Sequence, residues 1–123
     1  MEFTIVTNNS EVSKKYGDTY NVHYEQCSYE GILTVARDYV HKGYGLLTHP
    51  LSGSVKPNET PFKTIIVVKN NVDHSMDSLK IIESSIETAS KFKYSKKTTD
   101  EEILDDFRCI DLSLVENVIN RLA

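Results

Sequence analysis

A chain of 123 residues with 39% hydrophobic and 26% charged side chains is expected to fold as a single α/β domain, residues 1–123, with an ordinary core. Its formal net charge of -4 opposes a general role on nucleic acid or on a bilayer, since both need a basic face. No apolar run approaches the ~20 residues of a membrane span, and the N-terminal segment lacks the basic and long apolar regions of a signal peptide. Cys27 and Cys109 fit no CxxC spacing, so both are read as reduced thiols of a cytoplasmic protein.

The elements follow in a readable order. Phe3 to Thr7 is a β-branched strand, ended by the turn formers Asn8, Asn9 and Ser10. Glu11 to Tyr16 predicts a short helix closed by Gly17. Tyr20, Val22 and Tyr24 alternate with Asn21 and His23, the pattern of a half-buried strand. Tyr29, Ile32, Leu33, Ala36 and Val40 make one apolar helical face, with Ser28 as N-cap and Gly43 just beyond the C-terminal end. Gly45 to Thr48 reads as a short buried strand. Phe62 to Lys69, with Ile65-Ile66-Val67-Val68, is the strongest strand, and its unbroken run of β-branched residues predicts cover on both faces.

Asn70, Asn71 and Asp73 break that strand, and Met76, Leu79, Ile82, Ile86 and Ala89 form the next helical stripe. Lys91, Lys93, Lys96 and Lys97 then meet Asp100, Glu101, Glu102, Asp105 and Asp106, which reads as one solvated helix end facing the next helix start. Thr99 to Glu102 and Ser113 to Glu116 both match a capping box, so two short C-terminal helices are predicted. Helices separate the first three strands, which favours parallel directions, and the fourth follows only a loop and is open to an antiparallel course. The expected architecture is a small three-layer α/β domain: a mostly parallel sheet of about four strands, flanking helices and the two short terminal ones.

The segment from Thr48 to Pro61 stands apart. It holds all three prolines, one of four histidines and a Ser52-Gly53-Ser54 centre. Prolines stiffen a connection, and long ordered loops in compact domains usually serve function. With strands running parallel, this loop and the residues Asn8, Asn9, Gln26 and Cys27 fall at the carboxyl ends of strands, where α/β sheets hold ligands. Amides around Gly53 suit an anion nest, Thr48, Ser52, Ser54 and Thr60 offer hydroxyls, and Lys56 offers charge. His49 titrates near neutral pH, Asn58 adds an amide, and Glu59 can orient either neighbour or act as a base. The plainer alternatives are a His49 that bonds loop backbone, a tight turn at Gly53 and a surface Lys56–Glu59 pair. There is no P-loop, GxSxG, HExxH or GxGxxG signature, and His23, His41 and His74 lack metal-ligand spacing. No cofactor or metal is expected.

The run from Val40 through His41, Gly43, Tyr44, Gly45, Leu46, Leu47, Thr48, His49, Pro50, Ser52, Gly53, Ser54, Lys56, Pro57, Asn58, Glu59, Thr60 and Pro61 to Lys63 closely resembles the GrdX family. The first strand with Asn8-Asn9 and the segment Asp106 to Leu114 support the likeness. The resemblance implies a role around the glycine, sarcosine and betaine reductases of amino-acid-fermenting anaerobes, beside which members are encoded. It implies no reaction, and the chain has no redox cysteine pair. The leading expectation is a non-redox accessory protein whose 48–61 loop binds a small carboxylate or phosphate or docks on a reductase component. A small enzyme acting on an anionic metabolite through His49 and Lys56, and an amino-acid-sensing domain, stand as alternatives. A homodimer is also open.

Overall fold

A computed structural model of the chain describes residues 2–51, 60–69, 75–91 and 100–122. In chain order the elements are β1 (Phe3–Thr7), α1 (Ser10–Tyr16), β2 (Asn21–Tyr24), α2 (Tyr29–His41), β3 (Gly45–Leu46), β4 (Thr64–Val68), α3 (Ser75–Lys91) and α4 (Glu101–Leu122). Residues 52–59, 70–74 and 92–99 lie outside the described residues, and with them the expected break at Asn70, Asn71 and Asp73 and the basic Lys93, Lys96 and Lys97.

The four strands form one sheet in the order β2-β1-β4-β3. β1 pairs with β2 in parallel, while β4 lies antiparallel between β1 and β3. The sheet is therefore mixed, where the sequence suggested a mostly parallel one. β1, β2 and β3 do share a direction, because β4 opposes both of its neighbours. The reason for the difference is burial. β4 is the most apolar strand and takes an interior position between β1 and β3, which separates β3 from the strands it would otherwise extend.

Alternation along the two central strands divides the core. Val6, Ile65 and Val67 pack with Ile32, Leu33 and Ala36 of α2 and Ile82 and Ala89 of α3. Ile5 and Ile66 pack on the opposite face with Val12 and Tyr16 of α1 and Val115 and Ile119 of α4. Cover on both faces of β4 is thus borne out. The helix ends are set locally as well. The Ser28 side chain accepts from the Gly31 amide at 3.0 Å, and Gly43 takes φ +98°, a left-handed conformation that favours glycine after α2.

The C-terminal region departs from its expectation. Glu101–Leu122 is one helix of 22 residues, not two short ones. No glycine or proline lies between Asp106 and Glu116 to interrupt it, and Phe107, Asp111, Val115, Ile119 and Leu122 continue one stripe across the supposed break. The capping-box match at Ser113 to Glu116, which falls inside that stripe, made it look like two. Ser113 is exposed in the middle of the helix, so Ser113→Ala is expected to leave stability unchanged or raise it by about 0.5 kcal/mol, since alanine is the better helix former. Urea denaturation checks this, because loss of a true N-cap would instead cost about 1 kcal/mol.

Candidate functional site

The alternation that builds the core also places Thr7 of β1 opposite Thr64 of β4, at the end of the sheet where β1 finishes and β4 begins. Both are buried, and their hydroxyls lie 2.7 Å apart. Asp111 of α4 meets them: its Oδ2 accepts from Thr64 Oγ1 at 2.7 Å and from Asn9 Nδ2 at 3.0 Å. Thr64 has one hydroxyl hydrogen. When that hydrogen goes to ionised Asp111, Thr7 must donate to Thr64, while Thr7 Oγ1 accepts from the Asn9 amide at 3.0 Å. The result is a directed chain from the Asn9 N–H through two hydroxyls to a buried carboxylate, each bond polarising the next.

Asn8 and Asn9 occupy the turn after β1 and organise its surroundings. Asn8 Nδ2 donates at 2.9 Å to the carbonyls of both Cys27 and Pro61, and Asn8 Oδ1 accepts from the Lys63 amide at 2.9 Å. One side chain therefore holds together the connections after β1, after β2 and before β4, the convergence expected of this end of the sheet. Asn9 caps α1 by accepting from the Glu11 amide and also donates to the Arg108 carbonyl at 2.9 Å, which fixes α4. Both amide groups use their hydrogens on the protein itself.

Lys63 is the second buried charge of the site, 6% exposed beside an Asp111 that is 8% exposed. Its ammonium lies 5.9 Å from the centre of the Tyr29 ring. Burial drives the Lys63 amine down to about 8, and the nearby Asp111 charge only partly opposes this. Burial likewise raises the Asp111 carboxyl above its ordinary range, against the bonds from Thr64 and Asn9 and the charge of Lys63. The Tyr29 phenol is pushed up to about 12 by burial and then by Asp111, so it keeps its proton.

Two cavities adjoin this pair. The larger, about 240 Å³, lies between β4 and α4 and is lined in part by Thr48, Lys63, Thr64, Asp111, Asn117 and Arg121. The smaller, about 20 Å³, adds Tyr29 and Thr60 to Lys63 and Asp111, and is of a size for a single water. Among the described residues Arg121 has no ion-pair partner.

Of the sequence-expected residues, Asn8, Asn9 and Thr48 come to this end of the sheet. Thr48 lines the larger cavity, and its Oγ1 accepts from the Ile66 amide at 3.1 Å. His49 is exposed, and its Nδ1 accepts from the Leu51 amide at 3.1 Å. Ser52, Gly53, Ser54, Lys56, Asn58 and Glu59 lie outside the described residues. Lys63, Asp111, Tyr29 and Arg121 were missed from the sequence. The available signals were an aspartate in the apolar stripe of α4 and a lysine directly before a largely buried strand. Cys27 and Cys109 are free thiols, and burial followed by the charge of Glu25 raises the Cys27 thiol, which disfavours its reactive thiolate. Among the described residues no helix is long and apolar enough to cross a membrane.

The family model described as GrdX-like protein matches residues 4–120, nearly the whole chain. The protein belongs to the GrdX-like family. No curated protein and no solved structure matches it.

Two measurements probe the buried pair. Between pH 8 and 10.5 the unfolded chain still carries the Lys63 proton while the folded chain has released it, so raising pH across that window favours folding. Below the window both states are charged and the full burial cost applies. Subtracting the stability curve of Lys63→Met from that of the wild type removes contributions common to both proteins, and the wild type is expected to gain about 3 kcal/mol relative to the variant from pH 8 to 10.5. Thr64→Val removes a donor from Asp111 and is expected to cost about 1–3 kcal/mol at pH 7. It should cost less in acid, where a protonated Asp111 no longer needs that donor, and denaturation at both pH values reads the difference.

Proposed function

We propose that this chain is a non-redox accessory protein of glycine reductase systems and that it binds a small anionic ligand in the cleft between β4 and α4. The family name supports the association. The observation that carries the ligand reading is that both ends of the 48–61 segment reach the same pair of buried charges. Thr48 lines the larger cavity, Thr60 the smaller, and Lys63 and Asp111 line both. In this reading Thr48, His49, Ser52, Gly53, Ser54, Lys56, Asn58 and Glu59 extend the site from the loop, while Asn8 and Asn9 position it.

Lys63 and Arg121 supply positive charge, and Thr48, Thr64 and Asn117 supply hydroxyl and amide groups for carboxylate or phosphate oxygens. A cavity of about 240 Å³ suits a compact metabolite more than a drug-sized molecule. The reading takes the protein to act in the cytoplasm, with the ligand-filled loop presenting a docking face to a reductase component. Two unpaired cysteines, one exposed and the other with a raised thiol, favour a supporting role over a redox one.

Calorimetry with acetate and with inorganic phosphate tests the cleft. Lys63→Met and Arg121→Ala are each expected to weaken binding by about tenfold or more, the loss of one charge-assisted contact. Arg121→Ala, at an exposed position, should change stability by no more than about 0.5 kcal/mol. Equal affinity in wild type and both variants would remove these residues from the site. Pull-down with purified reductase components, with and without the anion, tests the partner.

A further inference from the structure

Lys63 has a setting that anion binding alone does not require. A surface lysine would hold a carboxylate without the burial, while here the whole residue is only 6% exposed. It reaches cavities that also contain the Asp111 carboxyl, fixed by Thr64 and Asn9, and the Tyr29 ring lies beside it. Arg121 also lines the larger cavity, with no ion-pair partner among the described residues. The cleft thus combines an amine, a proton-transfer group and an anchor for a carboxylate.

We propose that Lys63 forms a reversible imine with a small carbonyl compound bearing a carboxylate, a 2-oxo acid or an aldehyde acid, with Arg121 binding the carboxylate and Asp111 moving protons. The proposal rests on the cleft being a ligand site. The neutral amine adds its lone pair to the carbonyl carbon, forming the C–N bond and placing the carbonyl π pair on oxygen. Asp111 takes a proton from the nitrogen and delivers it to the oxygen, giving the carbinolamine. A second transfer of the same kind, from nitrogen to the hydroxyl, lets that oxygen leave as water as the C=N bond forms. One carbonyl compound and one amine give one imine and one water, with no oxidant or reductant. Burial supports the step by lowering the amine toward 8, which leaves far more of it neutral near pH 7.5 than in an ordinary lysine.

The test uses the wild-type protein with glyoxylate or pyruvate at pH 7.5, cyanoborohydride to fix any imine, and peptide mapping by mass spectrometry. Lys63 is expected to be modified at least about tenfold faster than the exposed Lys14 and Lys69, since each unit of lowered pKa raises the neutral fraction about tenfold. Excess acetate should slow modification at Lys63 and leave Lys14 unaffected. Arg121→Ala should reduce the preference for glyoxylate over propanal, a neutral aldehyde. Asp111→Asn should slow labelling and change its pH profile, with circular dichroism confirming the fold. Labelling of Lys63 no faster than of Lys14 and Lys69 would overturn the proposal. If calorimetry still detected acetate and glyoxylate, the non-covalent cleft would stand and only the imine would fall; if neither bound, both readings would fall together.

Discussion

A carboxylate in an apolar helix face is the constraint around which the C-terminal half of this protein is arranged. Asp111 sits where a leucine would give a simpler amphipathic helix, and it is tolerated because Thr64 and Asn9 both donate to it. Burying such a group without partners would cost several kcal/mol. The partners come from two other elements: Thr64 from the central strand, and Asn9 from the turn that also starts α1. α4 is therefore held on the sheet by a polar contact as well as by the apolar packing of Val115 and Ile119. Polar contacts are directional, so this one fixes the rotation and height of α4 where apolar packing alone would be more permissive.

The two asparagines after β1 divide the work. Asn8 gathers three chain connections at one point and makes the end of the sheet a closed junction. Asn9 links the start of α1 to the middle of α4. These are the positions at which an α/β fold is expected to hold a ligand, and here the asparagines organise the wall. Lys63 follows this junction directly, its backbone amide held by Asn8 and its side chain beside Tyr29 and Asp111. The Lys63 backbone is thus held at both its amide and its carbonyl by Asn8.

Local signals in the sequence read well. Ser28 and Gly43 bounded α2 because caps are local chemistry, and Ile65 to Val68 declared an interior strand because no solvent-facing alternation interrupts them. Non-local facts were hidden. Nothing in β4 says that it inserts between β1 and β3, since strand order depends on which edges compete for the most apolar segment. Ser113 to Glu116 was read as a helix start because a capping box is a local pattern, whereas the partners that anchor Asp111 inside one continuous helix lie 47 and 102 residues away. The loop drew attention to the end of the sheet where Thr48 lies, but the buried charges at that end come from positions whose composition is unremarkable.

The place of β4 in the sheet also has a consequence for the order in which the protein assembles. The first half of the chain contains β1, β2 and β3, yet β3 is two residues long and, among the described residues, pairs only with β4. Until Thr64–Val68 leaves the ribosome, β1 presents a bare hydrogen-bonding edge and β3 has no ladder to join. The nascent chain therefore carries an exposed template for mispairing during much of its synthesis. Arrival of one five-residue strand closes that edge, recruits β3 and presents Thr64 to the still unmade α4.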